Sequence, residues 1–174
     1  AIHYRFGPLD LVDAPGFQSG REEHDALALD ASKEAALTVV VLHVNLLIGD
    51  TSRLERLLVG GTGDAGRSTR TVFVVGRTDE IGVDPIVSPS DFIVRRRQKV
   101  NELISILDSR GIRVDPSHIL ALAADPYGLV GNRPDVTASS YSDINRIWDG
   151  VGSLSTPLLE LTESTLAGMS ALAA

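Results

Sequence analysis

Cysteine is absent from all 174 residues, so neither a disulfide framework nor a thiolate metal site is available. That absence fits a reducing cytoplasm. Positive charge is in deficit: 16 Lys and Arg stand against 23 Asp and Glu, a net charge of −7. A phosphate backbone would be repelled over most of such a surface, which argues against broad nucleic-acid binding. No apolar run approaches the roughly 18 to 20 residues of a membrane span, and the N-terminus lacks a charged-then-apolar leader pattern. Internal repeats and low-complexity blocks are missing too. What remains, 43% hydrophobic and 22% charged residues, is the balance of an ordinary globular chain long enough for one domain with a core.

The apolar pattern alternates between strands and helices. Ile2 to Phe6 and Leu9 to Val12 read as neighbouring strands joined by a turn at Gly7-Pro8. The chain thus opens on a strand pattern at Ala1, as a segment of a longer domain would. A polar loop from Asp13 to Gly20 leads into a helix expected over Arg21 to Ala36, its start favoured by Glu22 and Glu23. Leu37 to Val44 is a β-branched run of the kind buried on both faces of a parallel sheet. Thr51 to Val59 carries leucines at helical spacing behind a Thr/Ser cap, and Thr71 to Val75 is a second buried-type strand. Asp91 to Arg110 is the strongest helix, with Ile93, Val94, Val100, Leu103, Ile104 and Leu107 expected on one side and Gly111 as its stop. Ser117 to Ala124 reads as a third buried strand. A polar loop follows, then a helix with Ile144, Ile147 and Trp148, then a helical tail from Leu154. Strands and helices in this order predict an α/β fold with a largely parallel sheet, whose ligands sit beyond the C-terminal ends of the strands.

Three strand ends therefore carry the functional reading. The first is Asp13-Ala14-Pro15-Gly16. A strand-terminal Asp suits a magnesium ion held through water, and a glycine three residues on lets a bare N–H approach a terminal phosphate. By itself it also reads as a capped turn. The second is Gly76-Arg77-Thr78-Asp79-Glu80-Ile81-Gly82, and the third is Leu122-Ala123-Ala124. Taken alone, the second is a surface turn and the third the end of a buried strand.

Their order and wording, with Asp-Ala-Pro-Gly-Phe before Arg-Thr-Asp-Glu-Ile-Gly and a long helix bearing Arg-Arg-Arg, resemble the P-loop GTPases, and among them the actinobacterial dynamin-like proteins, over roughly residues 1 to 150. The resemblance implies a Rossmann-like GTPase sheet with flanking helices. It implies that Asp79 reads guanine, that Arg77 covers the base, and that Ala123 and Ala124 offer backbone N–H to the guanine oxygen. Asp13 and Gly16 would serve Mg2+ and the γ-phosphate. Gly76 departs from the family's usual Asn or Thr, which removes that side chain's support for the phosphate loop.

The family's phosphate loop is expected upstream of residue 1, together with its first strand and first-switch threonine, so this chain alone is expected to bind nucleotide weakly and to hydrolyse it negligibly. No catalytic residue is assigned within it. Gly61 to Ser68 imitates the loop, with Arg67 for the lysine, but follows a helix and precedes a strand, the reverse of what a phosphate-binding helix N-terminus needs. The resemblance further implies GTP and GDP as ligands, a homodimer through the GTPase domain, and peripheral membrane contact by a cytoplasmic parent protein. Residues 151–174 would be the exit toward a helical bundle, or pack on their own domain.

Other polar groups have plainer readings. Arg95, Arg96, Arg97 and Lys99 form a basic cluster read as a solvated helix face. His3, His24, His43 and His118 show no metal-ligand spacing, and His43 and His118 are expected within strands in structural roles. Ser19, His24 and Asp25 do not make a triad pattern. Two rivals stay open: a degenerate GTPase-fold scaffold without nucleotide turnover, and a phospho-receiver with Asp13 as acceptor. The second lacks the acidic pair and the late lysine it would need.

Overall fold

The computed structural model describes residues 2–6, 9–15, 22–45, 58, 70–83, 87–123, 154, 157–160 and 162–163. Ile2–Phe6 (β1) and Leu9–Asp13 (β2) form an antiparallel pair, with Tyr4 opposite Leu11 and Ile2 opposite Asp13. Ile2, Tyr4, Leu11 and Val12 are all exposed. A two-stranded ribbon is marginal by itself.

Glu22–Glu34 (α1) leads to Thr38–His43 (β3), and Thr71–Gly76 (β4) and Ile119–Ala121 (β5) complete a three-stranded parallel sheet in the order β3-β4-β5. The described architecture is a small α/β fold. β4 lies in the centre and buries Thr71 through Val75. A strand with neighbours on both edges and cover on both faces keeps no side chain in water, which is why its sequence is β-branched and aromatic throughout.

One face of the sheet presents Phe73, Val75 and Ile119 to Pro89–Ser109 (α2), whose Leu103 and Leu107 join the same cluster. The other face presents Val72, Val74 and Leu122, over which Leu154 and Leu158 pack. The described tail residues Leu154 and Leu158 thus lie on the chain's own sheet.

α2 starts with Pro89 in its first turn and Asp91 near the helix's positive end. It ends in a Schellman arrangement: Gly111 N–H donates to Asp108 O at 2.9 Å and Ile112 N–H to Leu107 O at 3.0 Å. Gly111 has φ 72°, where a side chain would be strained, and the turn delivers Ile112 into the core.

Several expectations need correction. The buried face of α2 is led by Phe92, while Ile93 and Val94 are exposed. At about 100° per residue, Phe92 falls within roughly 20° of Leu103 around the axis, and Val94 about 180° from it. β3 is not buried on both faces, since Val39 and Val41 are exposed. The third strand shrinks to Ile119–Ala121, because Pro116–His118 forms a 3-10 turn that takes His118 out of the strand. Pro116 has no N–H to give a ladder, and Asp115 caps the turn by accepting from Ser117 N–H at 2.8 Å. The turn Gly7-Pro8, the imitation loop at 61–68 and the helix expected around Ile144 lie outside the described residues.

Candidate functional site

The C-terminal ends of the parallel strands come together through the sheet register: His43 pairs with Gly76, and Val75 with Ala121. Beyond the last ladder positions the chain stays stitched. Val44 N–H donates to Gly76 O at 3.1 Å, Leu122 N–H to Val75 O at 2.8 Å, and Thr78 N–H to Leu122 O at 3.1 Å. The segment after β4 is thereby held against the segment after β5. Arg77, Asp79 and Ala123 occupy adjoining strand ends.

Arg77 turns the chain out of β4 with φ 56° and ψ 40°, and Thr78–Glu80 follows as one 3-10 turn closed by Glu80 N–H to Arg77 O at 2.9 Å. Asp79 is half-buried and its Oδ1 is shielded from solvent. Arg77 stays 59% exposed and pairs with Glu80, whose second oxygen receives His43 Nε2 at 3.1 Å. Thr78 is fully buried, and its Oγ1 has no hydrogen-bond partner among the described residues. At Gly76 a Cβ would meet Val41 Cγ1 at 3.5 Å and Leu42 O at 3.7 Å, ordinary contacts, so a Cβ is accommodated there.

The expected site is only partly assembled by the described sheet. Asp13 closes β2 in the separate two-stranded sheet and is exposed. Ala123 is buried, as the end of a core strand would be. Gly16 and Ala124 lie outside the described residues. Among the described residues no group of three or more His, Cys, Asp or Glu side chains is placed to hold a metal ion. No described helix is long and apolar enough to cross a membrane.

Two participants escaped the sequence reading. His43 and Glu80 meet through the pairing of β3 with β4, which no local pattern encodes. The Arg77-to-Glu80 spacing of three residues was the one available signal. Among the basic cluster of α2, Arg95 and Arg97 are exposed, Lys99 pairs with Glu102 at 2.8 Å, and Arg96 lies 5.8 Å over the Phe92 ring. That is the solvated face expected, apart from Arg96 and the part-buried Lys99. No family model matches the chain, and no curated protein or solved structure is significantly similar to it.

Proposed function

We propose that this chain carries the base-recognition side of a GTP-binding domain of the dynamin-like kind, with a Rossmann-like GTPase sheet. The observation that supports it most is the position of the Arg77-Thr78-Asp79 turn: it leaves the central strand of a parallel sheet, where such sheets bind ligands, and is bonded to the end of the next strand. Asp79 would accept from the guanine edge, which adenine cannot match, and Arg77 would lie on the base plane. Asp13, a single exposed carboxylate, does not make a resident metal site; it suits a water-mediated contact to Mg2+ arriving with the nucleotide phosphates. In the complete protein the reaction would be GTP hydrolysis by in-line attack of water, with pairing of two such domains and membrane work as the wider role.

The second reading is a GTPase-fold scaffold without turnover. Two observations favour it: Gly76 in place of the supporting side chain, and an Arg77 already paired within its own turn.

The test is a titration with GDP and ADP, in Mg2+, of the chain and of its Asp79→Ala variant, followed by NMR at millimolar ligand. Guanine preference in the parent chain is expected, with a loss of about 10- to 100-fold in the variant, the worth of hydrogen bonds to a charged acceptor. A folded chain that ignores both nucleotides would leave the scaffold reading in front.

A further inference from the structure

One carboxylate joins the ends of two neighbouring strands. Glu80 Oε2 lies 3.1 Å from Nε2 of His43, the last residue of β3, and Glu80 Oε1 pairs with Nη2 of Arg77, the residue after β4. His43 is fixed from its other side as well, because the backbone N–H of Asn45 donates to its Nδ1 at 3.1 Å. A ring nitrogen that accepts carries no hydrogen, so the hydrogen of the neutral ring sits on Nε2 and is donated to Glu80. Both carboxylate oxygens are therefore engaged, one with each donor.

The backbone says that the arginine is held there for its side chain. Arg77 is the non-glycine residue at positive φ among the described residues. The left-handed region costs an L-residue roughly 1 to 2 kcal/mol, and glycine would adopt it freely. The turn's own hydrogen bonds, Glu80 N–H to Arg77 O and Ile81 N–H to Thr78 O, are backbone bonds that glycine would also allow. What glycine could not supply is a guanidinium, 59% exposed, anchored by a carboxylate that is itself 33% exposed.

We propose that Glu80, oriented by His43, is a positioning residue: it fixes the Arg77 guanidinium at the strand-end site and compensates its charge, so that Arg77 offers a flat face to a planar base rather than a cation to a phosphate. The inference rests on the base-site reading above and deepens it. A free guanidinium seeks phosphate as a bidentate, charge-assisted partner. Once its charge is matched by a carboxylate, its stacking surface remains available, and stacking depends little on salt.

The test compares guanosine, which has no phosphate, with GDP, at low and high salt, on the parent chain and on the Glu80→Gln, Arg77→Gly and doubly substituted variants. Arg77→Gly suits the left-handed backbone, and Glu80→Gln is isosteric at a half-exposed position, so urea midpoints no lower than the parent chain's are expected to show the fold intact. Glu80→Gln should weaken guanosine by about tenfold while GDP weakens less and becomes more salt-sensitive. The double variant should bind guanosine no worse than Arg77→Gly alone, since both act on one contact. Equal losses for guanosine and GDP, or losses that add in the double variant, would overturn the positioning role while leaving the base site standing. If the parent chain fails to prefer guanosine over adenosine, the base-site reading falls and takes the inference with it, a result read without any variant.

Discussion

β3 and β4 are nearly the same strand in composition, Thr-Val-Val-Val-Leu-His against Thr-Val-Phe-Val-Val-Gly, yet they live in different surroundings. β4 buries its first five residues, whereas β3 leaves Val39 and Val41 exposed, the latter 69%. The register shows where the difference arises. Val39 and Val41 pair with Val72 and Val74, so all four lie on one face of the sheet. On the opposite face the cover reaches across to β3, where Val40 and Leu42 pack with the α2 cluster. On the shared face Leu154 and Leu158 cover β4 and β5 and leave Val39 and Val41 in the open. Burial here is a property of the position in the sheet and of the reach of the covering segment. Composition alone does not decide it.

The largest expected effect breaks the comparison at its centre. Phe73→Ala removes a fully buried ring between β4 and α2 and should cost about 3 to 5 kcal/mol of unfolding free energy, a large share of a small domain's total. Its counterpart, Val41→Ala on the neighbouring strand, should change stability by no more than about 0.5 kcal/mol. Urea unfolding of both variants reads the pair directly. A Val41→Ala loss approaching that of Phe73→Ala would mean that β3 is covered in solution and that its exposed face is an interface.

The next effect runs in the other direction. Thr78 sits just past β4, fully buried, with its hydroxyl oxygen unsatisfied among the described residues. Thr78→Val keeps the shape and removes the stranded polar group, so unfolding free energy should rise by about 1 kcal/mol. A loss of stability instead would show that the hydroxyl has a partner, and would mark the turn carrying Asp79 as tuned around it.

Much of this fold could be read from the chain because its signals are local. The Thr71 run is β-branched and continuous, and Gly111 stands where a helix must stop, so β4 and the end of α2 match the reading closely. The failures share one cause. Whether β3 is central or at an edge, and whether Ile93 or Phe92 faces the sheet, depend on which elements pack over them, and sequence periodicity offers several apolar faces without choosing one. The site divides in the same way. Arg77 and Asp79 stand in a contiguous motif at a strand end, visible in the sequence. The link from Glu80 to His43 joins residues distant in sequence and becomes visible only with the β3–β4 register.

The smallest effect concerns how β5 joins β4, since three residues of ladder are a short hold for a strand that carries Ile119 into the core. Asp115 organises the approach: its Oδ1 accepts from Ser117 Oγ at 2.7 Å and from Ser117 N–H at 2.8 Å. These bonds, the side-chain one foremost, favour the ionised carboxyl and lower its pKa below the ordinary value of 3.8, with nearby His118 adding to the effect. A carboxyl with a folded pKa below its unfolded one contributes stability that is fully present above the unfolded value and fades as pH falls through the folded one. Asp115→Ala should therefore lower the urea midpoint slightly at pH 7, and the gap from the parent chain should narrow as the pH drops below about 4. The group is exposed, so salt and solvent keep the effect small. A gap that stays constant with pH would mean that Asp115 holds the turn through its shape rather than its charge.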